Sequence, residues 1–163
     1  MPRPAATISP QMGNISLQLA ALRRDEAESD SPDMYEATTE RITVTVRPIY
    51  LEERSSPDEG RWLFAYTIEI INHSEATVCL RSRYWHITDA RGHVEEVRGP
   101  GVVGEEPVLS PGDSFTYTSG CPLPTASGIM RGQFHMQRDD GSVFDIDVPA
   151  FSLDAPAGRR TLN

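Results

Sequence analysis

From Tyr35 onward the chain alternates apolar and polar residues one by one, and no stretch there repeats convincingly at the helical period. In ERITVTVRPIYL, Ile42, Val44 and Val46 fall on one side and Thr43, Thr45 and Arg47 on the other. A period of two rich in β-branched residues is the pattern of a half-buried strand. WLFAYTIEIIN repeats it: Trp62, Phe64, Tyr66, Ile68 and Ile70 form a face that must be buried, opposite Leu63, Ala65, Thr67 and Glu69. ERSSPDEGR, before it, is a polar turn cluster. TVCLRSRYWHITDARG reads as a long strand ending in a turn at Asp89–Gly92, with HVEEVRG as its hairpin partner. A turn at Pro111–Gly112 leads into a short strand carrying Phe115 and Tyr117. GIMRGQFHMQRDDGSVFDIDVPAFSL reads as two strands around Asp139–Asp140–Gly141, since Asp-Gly between alternating runs signals a hairpin. About six or seven short strands spaced by turn signals predict an all-β sandwich, with Trp85 as its large core side chain.

The 163 residues suffice for one domain with a real core and a tail. All fifteen cations are Arg, and the formal net charge is -9, which disfavours nucleic acid or an anionic membrane as a partner. No apolar run approaches the ~20 residues that span a bilayer. The first residues lack the apolar centre of a secretory signal, so a cytoplasmic location is expected. In that compartment Cys79 and Cys121 are expected to be free thiols. Cys79 stands only six positions before Trp85, on the same predicted strand, which excludes the antibody-type bridge. Residues 1–34 are read as an extension in which only ISLQLAALRR has helical spacing, either a frayed or disordered arm or a docking helix.

Gly99, Gly101 and Gly104 have the spacing G-x-G-x-x-G. A dinucleotide fingerprint needs a helix immediately after such a turn. Here Glu105, Glu106 and Pro107 follow, and no Lys is present for a Walker loop. Two readings stay open. Either the loop is an inter-strand turn anchored by Val102 and Val103, or its amides, with Arg98 beside them and Arg81, Arg83 or Arg131 approaching from neighbouring strands, hold a pyrophosphate or nucleotide. His86 and His135 lie on predicted strands; they are edge imidazoles or two ligands of a metal site formed across the sandwich. Asp145 and Asp147 share one face and could hold a hard cation weakly with Asp139 or Asp140. No Ser, Cys or carboxylate stands in a catalytic spacing, so no enzymatic activity is expected.

RYWHITDARG, VRGPGVVGEEPVL, PGDSFTY followed by TSGCPL, and GIMRGQFHM with GSVFDIDVPAFSL occur in that order and together resemble the ApaG family over about residues 35–154. The resemblance implies a fibronectin type III-like sandwich. It also implies a link to cobalt and magnesium tolerance or efflux, and a pyrophosphate or nucleotide site at Gly99, Gly101 and Gly104. Similar domains in eukaryotic F-box proteins and in a DNA-polymerase-delta-interacting protein point to protein binding. With no membrane segment in the sequence, an efflux role would act through a partner. The expectation is thus an extension at 1–34, an ApaG domain at 35–154 and a tail at 155–163. The domain is expected to be a non-catalytic binding module with an unidentified protein partner, monomeric or homodimeric, with no nucleic acid, no membrane insertion and no resident cofactor. Its alternatives are nucleotide or pyrophosphate binding, even phosphohydrolysis, at the glycine loop, and direct divalent-metal binding.

Overall fold

The computed structural model describes residues 33–156, so both readings of ISLQLAALRR, a frayed or disordered arm and a docking helix, lie outside the described residues. Nine strands follow in order: β1 (Tyr35–Thr39), β2 (Ile42–Tyr50), β3 (Trp62–Asn72), β4 (Val78–Asp89), β5 (Val94–Pro100), β6 (Val108–Leu109), β7 (Ser114–Leu123), β8 (Ser127–Arg138) and β9 (Val143–Asp154). They make two antiparallel sheets, ordered β1-β2-β3-β7 and β5-β4-β8-β9, with β6 beside β4. The two sheets pack face to face as the predicted sandwich.

The alternation read in the sequence becomes the core. Val44, Val46, Phe64, Ile68 and Ile70 of one sheet meet Leu80, Trp85, Phe134, Met136, Ile146 and Phe151 of the other, all buried. Trp85 lies at the centre, edge-on to Tyr66 at 5.4 Å, Phe134 at 6.1 Å and Phe151 at 6.2 Å between ring centroids. Such edge-to-face pairs add to the apolar burial. Room for the indole comes from Gly132, its partner on β8. A Cβ there would collide with the Tyr84 carbonyl oxygen and come within 2.7 Å of the indole Cε3.

Three features depart from the sequence reading. β1 was not anticipated, because its hairpin to β2 turns on Glu40 and Arg41 at φ 53° and 67°, left-handed positions usually marked by Gly or Asn. Leu63 and Ala65, on the face opposite the core, are buried too, packed with Leu51 and with Ile49 of the neighbouring β2. The polar cluster 51–61 folds back on that face in two 3₁₀ turns, tied by the Leu51 N–H to the Leu63 carbonyl at 2.9 Å. Trp62, expected in the core, is only half-buried.

The prolines sit where a missing N–H costs no ladder bond. Pro48 lies beyond the five residues of β2 that β1 covers, and Pro149 lies where β9 carries one residue more than β8, between the pairs Met130–Phe151 and Gly132–Val148. Phe151→Ala should destabilise the domain by about 3–5 kcal/mol, the range for emptying a core aromatic site. Gly132→Ala, which only adds a methyl group, should also destabilise it; urea unfolding followed by Trp fluorescence reads both.

Candidate functional site

The glycine loop is the path the chain takes past an irregularity in β4. The β4–β8 register shifts between Leu80 and Ser82, leaving Arg81 as the extra residue. Along the other edge of β4, β5 pairs as far as Ser82–Pro100, and β6 resumes at Cys79–Val108. Between them the Gly101 N–H bonds the Arg81 carbonyl at 2.8 Å, and the Pro107 carbonyl accepts the Leu80 N–H at 3.0 Å. Residues 102–105 close a tight hairpin, Val102 N–H to Glu105 O at 2.8 Å and the reverse at 2.9 Å. Val102 is fully buried and anchors the loop in the core.

Each glycine of the spacing has a local cause. Gly101 has φ 60°, and a Cβ there would strike the Glu105 carbonyl oxygen. Gly104 has φ 81° in the hairpin turn. At Gly99 a Cβ would lie 3.0 Å from Arg83 Nη2, because the guanidinium packs flat against that backbone. Arg83 Nη1 donates to the carbonyls of Pro100 and Gly101, both at 2.9 Å. The loop therefore turns carbonyl oxygens toward the Arg, and the amides of Gly101, Val102 and Glu105 are already bonded to backbone. Arg98 points elsewhere, its guanidinium carbon 4.5 Å above the centre of the Tyr84 ring. Arg81 pairs with Glu106 at 3.2 Å.

The polar residues of the sequence instead gather on the outer face of the β5-β4-β8-β9 sheet, in rows set by strand register. Val94, Thr88, Ile129 and Ser152 make the first row; Glu96, His86 and Arg131 the second; Arg98, Tyr84, Gln133 and Asp147 the third; Pro100, Ser82, His135 and Asp145 the fourth. Side-chain bonds join the second row to the third and run within the third and fourth. The Tyr84 hydroxyl donates to Glu96 Oε2 at 2.6 Å, Gln133 Nε2 donates to Asp147 Oδ1 at 3.2 Å, and His135 Nδ1 lies 2.9 Å from Asp145 Oδ1. The Tyr84 hydrogen bond lowers the Glu96 pKa, and the positive charges of Arg98, His86 and Arg131 lower it further. Val94 and Ile129 remain 53% exposed at one end of the face.

His86 and His135 are not brought together. They stand on neighbouring strands of one sheet, not across the sandwich; His86 faces Arg131, and His135 lies four residues farther along β8, roughly 13 Å at strand spacing. Among the described residues no group of three or more His, Cys, Asp or Glu is placed to hold a metal ion. Asp145 and Asp147 are engaged with His135 and Gln133, and Asp140 with Ser142. Both cysteines are free, as expected; Cys121 is buried, which pushes its thiol up to about 12. No helix among the described residues is long and apolar enough to cross a membrane.

The ApaG domain family matches residues 52–138. Protein ApaG of Brucella anthropi is 62% identical over 130 residues, 80% of this chain and all of that protein. Protein ApaG of Brucella canis is 60% identical over the same lengths. A crystal structure of a Bordetella pertussis protein described as ApaA superposes with a TM-score of 0.70 at 44% identity, covering 74% of this chain and 98% of that one.

Val103 holds φ 42° with an exposed, β-branched side chain, so Val103→Gly should raise stability by about 1 kcal/mol by relieving the left-handed penalty. Gly101→Ala should lower it, and thermal melts of the pair read the opposite signs. The Glu96 pKa is depressed in the folded protein, so its bond to Tyr84 contributes above the ordinary carboxylate pKa and is lost as pH falls through the lower folded value. In Tyr84→Phe the Glu96 titration, followed by carboxylate NMR shifts, should move up toward the ordinary range.

Proposed function

The chain belongs to the ApaG domain family, and from that premise we propose that it is a small cytoplasmic binding module without catalysis of its own, serving cobalt and magnesium tolerance through a protein partner. The observation that carries this reading is the outer face of the β5-β4-β8-β9 sheet. The whole chain has 24 acidic residues against 15 Arg. The face is nearly balanced: Glu96, Asp145 and Asp147 stand beside Arg98, Arg131 and the two imidazoles. Its polar side chains are tied to one another, which lowers the entropy lost when a partner orders them. Val94 and Ile129 supply apolar contact at one end. A preorganised, charge-balanced surface with exposed apolar anchors suits a protein partner better than a small anion.

The glycine loop supports the pyrophosphate or nucleotide alternative less well, because three of its amides are already bonded and two of its carbonyls face Arg83. A cobalt-sensitive strain lacking this gene tests the binding reading. The wild-type gene should restore growth in cobalt, whereas Ile129→Asp combined with Arg131→Glu should not, although both substitutions lie on the exposed face and the protein should melt near the wild-type temperature. Full complementation by the folded double variant would remove this face from the function. A rise in melting temperature with pyrophosphate or ATP, by mass action on the folded state, would move the reading to the loop.

A further inference from the structure

A sandwich of two open sheets has four edges, and natural proteins guard exposed edges with charge, proline, bulges, shortness or a covering segment. Three of the four are guarded here. β5 carries Glu95, Glu96, Arg98 and Pro100 in seven residues. β9 is covered by β1: Thr39 Oγ1 accepts the Asp147 N–H at 3.1 Å, and the Tyr35 hydroxyl accepts the Ser152 N–H at 3.4 Å. β1 is five residues long and makes that cover. The fourth edge is β7, SFTYTSGCPL. It is ten residues long, has no charged residue, and pairs with β3 from Ser114 to Leu123 without a register shift.

The side of β7 that points away from β3 is fixed by one bond. The Asn72 N–H donates to the Asp113 carbonyl at 3.0 Å, so the next pair, Ile71–Ser114, is a non-hydrogen-bonded one. Ser114 therefore turns its N–H and C=O outward, and by alternation so do Thr116, Thr118 and Gly120. Pro122 occupies the next outward position, where its missing N–H ends the run. Gly120 is buried. Among the described residues no backbone partner meets the outward groups of Ser114, Thr116 and Thr118, which are symmetric about Thr116. A second β7 laid antiparallel across a twofold axis at Thr116 would pair Ser114 with Thr118, Thr116 with Thr116 and Thr118 with Ser114. Those three pairs exchange about six ladder bonds, two for each. Gly120 and Pro122 fall outside the register, and Asp113 of one copy meets neutral Ser119 of the other. Phe115 is half-buried, its ring 6.1 Å from that of Tyr117. Across the axis Phe115 and Tyr117 would extend into one aromatic strip.

We propose that β7 is a self-association edge: two copies of this chain join through antiparallel β7–β7 pairing centred on Thr116, making one continuous eight-stranded sheet. The occupant is a second copy because the free donors and acceptors complement themselves about a twofold axis, and because no charge lies in the strand. A net charge of -9 on each copy opposes the association at long range, so salt should favour the dimer.

Sedimentation and backbone amide exchange of the full chain test it together, from roughly 10 μM to roughly 1 mM, a span in which a moderate dimer shifts its population by mass action. Exchange at Thr116 and Thr118 should slow at least about tenfold as the dimer forms, while Phe115 and Tyr117, bonded to β3, stay protected throughout. Thr116→Pro removes one outward N–H and no bond to β3, so it should be a monomer with the wild-type circular dichroism spectrum. A monomer at every concentration with Thr116 and Thr118 exchanging fast would overturn the proposal and leave this edge to a strand from a different protein. A dimer whose Thr116 and Thr118 amides still exchange fast would also overturn it, since the contact would then lie on another face. The exchange measurement needs no variant, so an unfolded Thr116→Pro does not blunt the test.

Discussion

Everything in the β5-β4-β8-β9 sheet depends on one close contact, the indole of Trp85 lying over Gly132 on the neighbouring strand. Without a side chain at residue 132 the indole can reach across β8 and meet Phe134, Phe151 and Tyr66 edge-on. That cluster joins β3 of one sheet to β4, β8 and β9 of the other, so it fixes both the spacing of the sheets and their relative shift. Strand geometry does the rest. With Trp85 and Phe134 committed inward, Tyr84, His86, Arg131 and Gln133 must point outward, and the solvent face is specified by the same contact that builds the core.

The second organising feature is the irregularity at Arg81. A strand running beside β4 on the far side from β8 cannot stay in register past an extra residue unless it too makes an excursion. The segment from Gly101 to Pro107 is that excursion, with β5 before it and β6 after it on the same edge of β4. Gly101 and Gly104 supply the left-handed backbone, Val102 fixes the loop in the core, and Arg83 satisfies two carbonyls that the excursion strips of strand partners. Each glycine of the G-x-G-x-x-G spacing thus has a place in the strand geometry.

Much of this was legible in the sequence, and what was hidden has physical reasons. The alternation of Ile42, Val44 and Val46, and of Phe64, Tyr66, Ile68 and Ile70, announced buried strands, because the core side is the only place such a face can go. The β1–β2 hairpin stayed hidden because Glu40 and Arg41 adopt left-handed φ without being Gly or Asn. Leu63 and Ala65 looked exposed because alternation describes a single layer, and only the folded chain shows the segment 51–61 covering the second face. The partners of Arg83 and the separation of His86 from His135 were illegible for a different reason. Both depend on register between strands distant in sequence, and a single sequence does not encode register locally. The outer face is the extreme case, since its rows draw on four strands at once.

The edge and the face bear on each other through the topology. β7 closes one sheet and the proposed docking face belongs to the other, turned away from it. Joining two copies edge to edge would use only backbone groups and the rim of the aromatic core, and would leave both outer faces open. A dimer of that kind presents two identical docking faces held at a fixed separation by a continuous sheet. A partner with two matching sites would then bind the second copy at a raised effective concentration, with no new contact needed at either face. A small domain with a charge-balanced and therefore modest docking surface gains most from such an arrangement, because doubling a weak contact changes its occupancy more than refining a strong one.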